Sequence, residues 1–156
     1  MKSQKINIQN KIIRRCFLFI LIILFVSVPK QPVSAEEVVV VVNHKNPVQS
    51  LTPREVSDMF LARRRTFPSG QPVLVLEHER NSRTREIFFY LLNKMTLRQV
   101  NAYWARLQFS GEVQPPQSFP DSRSVLEMVR RNSHAIGYIN KDSVDDSVKI
   151  VLQLKN

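Results

Sequence analysis

Val38 to Val42 is five consecutive valines, and that run constrains the fold more than any other stretch of the chain. Successive side chains of a strand point to opposite faces, so an unbroken β-branched run demands apolar cover on both sides. The rest of the mature-length sequence supplies that cover as helices. Thr52-Pro53-Arg54-Glu55 is a helix start: Thr52 can cap, Pro53 suits the first helical position, and Glu55 completes a capping box. Val56, Met59 and Phe60 form that helix's apolar face. Val73 to Leu76 reads as a second short buried strand after the break at Phe67 to Pro72. A helix opens at Asn81 or Ser82 with Ile87, Phe88, Leu91 and Leu92 inward. Another opens at the Thr96…Gln99 box, with Val100, Tyr103, Trp104 and Leu107 on one stripe, and stops at Gly111. Val113 to Pro120 is a proline-bearing connection, and a fourth helix starts at Asp121 or Ser122. Ala135 to Ile139 and Lys149 to Leu154 are the last strands. The predicted order is β-α-β-α-α-α-β-β, an α/β sandwich around a mainly parallel sheet.

The first 35 of the 156 residues have a different character. They hold six of the 23 basic residues and no acidic one, so they carry +6 of the formal +10. Arg14-Arg15 precedes Cys16 to Val28, a charge-free run of thirteen residues, and Val33-Ser34-Ala35 follows with small residues at its last and third-last positions. This is the layout of a bacterial secretory signal, cleaved after Ala35. The apolar run is shorter than the roughly twenty residues a membrane-spanning helix needs. Residues 1–35 are therefore expected to be a signal peptide and residues 36–156 one exported domain located in the periplasm. Cys16, the only cysteine, leaves with the signal, so no disulfide framework is open to the mature chain. The remaining +4 is an ordinary surface charge. Nucleic-acid binding would want basic patches beside exposed stacking aromatics, and Tyr103 and Trp104 fall on a buried stripe.

Several blocks taken in order resemble a known family. They are Val40-Val41-Val42-Asn43, Asn46-Pro47-Val48, Leu51-Thr52 with Met59-Phe60-Leu61, Phe67-Pro68-Ser69-Gly70, Arg85-Glu86-Ile87-Phe88, Tyr103-Trp104 and Ala135-Ile136-Gly137-Tyr138-Ile139. They look like the phosphate-type substrate-binding proteins of ABC transporters, in a small secreted form of that periplasmic binding-protein domain. The resemblance covers nearly all of 38–154. Full-length relatives have two lobes that close on an anion, and this chain is long enough for about one. The family's anion loop, approximately Arg-Ser-Asp-Gly-Ser-Gly-Thr, corresponds to His78-Glu79-Arg80-Asn81-Ser82-Arg83-Thr84. Ser82 and Thr84 match the hydroxyl residues that hold phosphate oxygens. His78 replaces the family's Arg, Arg83 its second Gly, and Arg80 the Asp that accepts the proton of hydrogen phosphate. That last change implies weak discrimination between phosphate and sulfate. Ala62 follows Phe-Leu where Gly is usual, and His134 precedes Ala-Ile-Gly-Tyr where Gly is common.

The residues alone point to the same place. A helix N-terminus at Ser82 offers free N–H groups and a favourable dipole, with Ser82 and Thr84 as hydroxyl donors and Arg80, Arg83, Arg85 and His78 supplying charge. Against this stands the plainer reading, in which Ser82 is only an N-cap and the arginines are a solvated face. Arg63-Arg64-Arg65 and Arg130-Arg131 read as basic helix C-termini. There is no Gly-x-Ser-x-Gly, His-Glu-x-x-His or Gly-rich phosphate loop, so the chain is expected not to be an enzyme. His44, His78 and His134 are far apart, and neither a metal nor a cofactor is expected. The resulting expectation is a solute-binding protein for phosphate or a similar oxyanion, serving an ABC-transporter membrane component. The alternative is a periplasmic interaction module, in which the lobe has lost solute capture and its cleft face binds another periplasmic protein or a second copy.

Overall fold

The structure, a computed structural model, describes residues 36–111 and 113–155. The expected signal peptide lies outside the described residues. Among the described residues no helix is long and apolar enough to cross a membrane.

The valine run becomes β1 (Val38–Asn43), buried along its whole length. Val38, Val40 and Val42 enter one apolar cluster, while Val39 and Val41 enter another on the opposite face. That double burial is what the sequence required of five valines in a row. The other elements are α1 (Pro53–Phe60), β2 (Leu74–His78), α2 (Arg83–Asn93), α3 (Leu97–Phe109), β3 (Gln117–Phe119), α4 (Ser122–Arg131), β4 (Ala135–Asn140), a 3₁₀ turn at Lys141–Ser143, and β5 (Val148–Leu154).

The five strands form one sheet in the order β3-β2-β4-β1-β5. α1, α2 and α3 pack on one face around Phe60, Phe88, Phe89, Trp104 and Tyr138. α4 alone covers the other, through Val125 and Val129. Trp104 is buried, as the Val100, Tyr103, Leu107 stripe predicts. The fold class is therefore α/β with helices on both faces, as expected.

Two details differ from the sequence reading. β2 runs parallel to β3 and β4, but β1 is antiparallel to both β4 and β5, so the sheet is mixed rather than mainly parallel. Parallel neighbours need a crossover, and α2–α3 and α4 provide the two that exist, whereas β4 and β5 flank β1 from opposite sides. Second, the proline-bearing connection holds the three-residue edge strand β3, paired through Leu76↔Gln117 to His78↔Phe119. Its flanking Pro116 and Pro120 confine it to the sheet's edge.

Candidate functional site

β2 and β4 are parallel, so both end at the same edge of the sheet, at His78 and Asn140. From that edge α2 and α4 each start within a few residues of a strand's end, and both begin with a capping side chain. Ser82 caps α2, its Oγ accepting the Arg85 N–H at 3.5 Å. Asp121 caps α4, its carboxylate accepting the Ser124 N–H at 2.8 Å. Those bonds hold the Asp121 carboxyl below its usual range. The first N–H groups of each helix, at Arg83 and Thr84 and at Ser122 and Arg123, have no partner within the helix.

Between the two helix starts lies an open cleft of about 420 Å³, lined by His78, Ser82, Thr84, Asp121, Ser122, Arg123 and Asn140, with Pro120 and Ser143 at its margin. Two serine hydroxyls here are left as donors. Ser82 Oγ receives the Arg85 N–H, and Ser122 Oγ receives the Asn140 N–H at 3.0 Å. One lone pair of each oxygen is thus engaged by backbone, and each O–H remains to be given to something in the cleft. Thr84, buried, instead directs its Oγ1 at Asn140 Oδ1, 3.3 Å away. Arg123 brings a positive charge and Asp121 a negative one to the same wall.

The structure brings together three of the five anticipated residues, His78, Ser82 and Thr84, and separates the other two. Arg80 lines an adjoining concavity, of about 490 Å³, which shares His78 with the cleft and also includes Glu77, Arg85, Asn101 and Trp104. Arg83 is exposed and paired with Glu86 one helical turn on. Neither lines the cleft. His78 also departs from its expected role as a source of charge. It is 2% exposed, its ring stacks on Tyr138 at 4.9 Å, and burial holds its imidazole below the ordinary histidine range.

Arg85 is not a binding group either. It is buried and donates from Nε to Glu77 Oε1 (3.0 Å), from Nη2 to Glu77 Oε2 (3.3 Å) and from Nη1 to Asn101 Oδ1 (2.8 Å). The Tyr138 hydroxyl donates to the same Glu77 carboxylate at 3.2 Å. Burial pushes the Glu77 carboxyl up and Arg85 opposes it; burial and the Glu77 charge raise Tyr138. This fork fixes α2, and with it the Ser82 end, against β2.

Ser122 reads as a helix start in the sequence, Arg123 and Asn140 carry no signal of their own, and nothing local brings the three beside Ser82. The two basic clusters lie elsewhere, at helix ends. Arg63 and Arg64 pair with Asp58 and Glu55 of α1. Arg130 and Arg131 close α4, where Asn43 Nδ2 donates to the Val129 and Arg130 carbonyls. Among the described residues no group of His, Cys, Asp and Glu could hold a metal ion.

No family model matches the sequence, and no curated protein does. Solved structures do match. One from Clostridium perfringens, described as a phosphate ABC transporter substrate-binding protein with bound phosphate, superposes with a TM-score of 0.59 at 24% identity, over 74% of this chain and 44% of that one. An ABC-type phosphate transport receptor from Vibrio cholerae gives 0.59 at 23%, over 74% and 45%. PstS from Borrelia burgdorferi gives 0.56 at 12%, over 74% and 46%. This chain spans less than half the length of each. Its three-layer sheet, its two helix starts at one sheet edge and these superpositions agree: the chain has the fold of one lobe of the phosphate-type substrate-binding proteins of ABC transporters.

Proposed function

We propose that this is an exported, single-lobe solute-binding protein that holds phosphate or a similar tetrahedral oxyanion in the cleft between the starts of α2 and α4. The observation that carries the reading is the convergence of two capped helix N-termini, each with a serine hydroxyl left as a donor, in a fold shared with proteins that bind phosphate. Helix N-termini favour anions through their free N–H groups and dipoles. Capture is non-covalent: Ser82 and Ser122 donate, the N–H groups at the two helix starts share the remaining oxygens, and Arg123 balances Asp121. Residues 1–35 direct export and are removed after Ala35, leaving a periplasmic domain whose natural partner is a transporter's membrane component. No catalytic step is required of any residue.

Calorimetry with phosphate on the purified protein tests this. Ser82→Ala combined with Ser122→Ala should weaken binding by about tenfold or more, since each charge-assisted hydrogen bond contributes roughly 1.5–3 kcal/mol. Arg64→Ala, at the end of α1, should leave it unchanged. Equal binding in the double variant would move the site elsewhere.

One feature favours the interaction-module reading. Phe109, which ends α3, is 97% exposed, and its neighbour Gln108 lines the same concavity as His78. Concentration-dependent self-association, abolished by Phe109→Ser, would favour that reading over solute capture.

A further inference from the structure

The sheet has a second end. β1 is antiparallel to β4, so Asn43 stands beside the start of β4, at the edge opposite the cleft. α4 connects the two edges. It starts at Ser122 in the cleft wall and ends ten residues later at Arg131, about 15 Å away. At that far end lies an open concavity of about 450 Å³, with His44, Lys45, Arg130, Arg131, Ser133 and Asp146 in its walls. Lys45, Arg130 and Arg131 bring three fixed positive charges to it, against the one negative charge of Asp146.

Basic residues at a helix C-terminus ordinarily serve the helix, by meeting its last carbonyls and the negative end of its dipole. Here another group has that task. The buried Asn43 side chain reaches across from β1, and its Nδ2 donates to the Val129 carbonyl at 2.9 Å and the Arg130 carbonyl at 2.8 Å. The Asn132 N–H donates to the Val129 carbonyl as well. Among the described residues Lys45 and Arg130 form no ion pair, and Arg131 has only a 3.8 Å contact with Glu127 in which both side chains are exposed. Asp145, the neighbouring acid, is occupied by the Ser147 N–H and hydroxyl. The walls are fixed in place by backbone and buried amides: Asn46 Nδ2 donates to the Ser133 carbonyl at 2.8 Å, the Lys45 N–H to Asn43 Oδ1 at 2.8 Å, and the His44 N–H to the Ser147 carbonyl at 3.1 Å. Three separate chain segments thus hold uncompensated cations around one hollow.

We propose that this concavity is a second anion site, which takes a compact polyanion bearing two linked phosphate-type groups. It stands apart from the oxyanion reading of the cleft and does not rest on it. Guanidinium groups bind such oxygens through paired N–H donors, and a lysine adds a compact charge beside them. The hollow is several times the size of one tetrahedral anion, and its cations come from both the end of α4 and the loop after β1, so two adjacent anionic groups match it better than one. A flat anionic membrane would be met by protruding charges; these line a recess.

The test is calorimetry with inorganic pyrophosphate at pH 8 on the purified protein and on three variants. Lys45→Gln combined with Arg130→Gln and Arg131→Gln should weaken binding by about tenfold or more. Arg63→Gln combined with Arg64→Gln and Arg65→Gln removes the same charge elsewhere and should change it less than about threefold, as should Ser82→Ala combined with Ser122→Ala in the cleft. Raising the salt concentration should weaken binding, since the site is open to solvent. Orthophosphate, with fewer charges, should bind the cleft variant at least about tenfold more weakly than pyrophosphate does. Equal losses in the two charge variants would mean diffuse attraction and overturn the site. Loss in the cleft variant would place pyrophosphate in the cleft and overturn it too, as would no binding by the unaltered protein. Sedimentation with phosphatidic acid vesicles, without binding of pyrophosphate, would assign the surface to a membrane instead. An independent readout is amide NMR on the cleft variant: resonances of 44–46, 131–133 and 146–147 should move with pyrophosphate while those of 82–84 stay. The reverse pattern overturns the inference.

Discussion

Ala62 follows α1 with φ of 55°, in the left-handed region where a Cβ meets the neighbouring carbonyl. That conformation costs a non-glycine residue about 1–2 kcal/mol, while Gly adopts it freely and has more entropy to lose on folding. Ala62→Gly should therefore stabilise the protein by about 0.5–1 kcal/mol, read as a rise of a few degrees in thermal midpoint. His78 makes the second residue-scale prediction. Its folded-state pKa is held below the ordinary value of 6.5, so on acidification the unfolded chain takes up a proton before the folded protein does. Stability is then fully present above about pH 6.5 and is lost as pH falls through 6.5 toward the folded value. Urea midpoints should decline between pH 7.5 and 5, and His78→Gln should flatten that decline. A slope unchanged in the variant would assign it to other groups.

At the scale of elements, Gly137 shows how closely α4 lies on the sheet. A Cβ built there would stand 2.6 Å from Val125 Cγ1 and 3.4 Å from Val129 Cγ2. Gly137→Ala should push α4 outward and destabilise by about 1–3 kcal/mol, measured by chemical denaturation. Because α4 carries Ser122 and Arg123, phosphate affinity should fall with it. The helix starts were legible from the residues because caps are local: Thr52 with Glu55 and Thr96 with Gln99 both form complete boxes. β3 was not, since Gln117–Phe119 is a strand only by virtue of its pairing with β2, and its prolines argue the other way. Nor was the direction of β1, which depends on partners at the far end of the chain. The site divides along the same line. Ser82 as a cap was readable from its neighbours. The burial of Arg85 depends on Glu77 and Asn101, the pairing of Ser122 with Asn140 on strand order, and the neutral state of His78 on the Tyr138 carbonyl.

At the scale of the whole molecule, a single lobe would meet the proposed anion with one face. Part of the anion stays hydrated, and the contacts act in a higher effective dielectric than an enclosed site provides. Monomeric affinity for phosphate is expected between about micromolar and millimolar, or about −8 to −4 kcal/mol, by calorimetry. A nanomolar constant would mean that a second surface closes over the cleft. The place of β1 has a further consequence, in the order of events. Val38 lies opposite Asn140 on one side and Leu154 on the other, so all its sheet hydrogen bonds join segments roughly a hundred residues apart. Contacts that distant are slow to form, because the loop must close before they reward it. In a chain synthesised amino end first, the valine strand emerges early and waits for partners that arrive last. The topology thus lets the sheet close only once the carboxyl-terminal strands are present, while five exposed valines must meanwhile be kept from pairing with anything else.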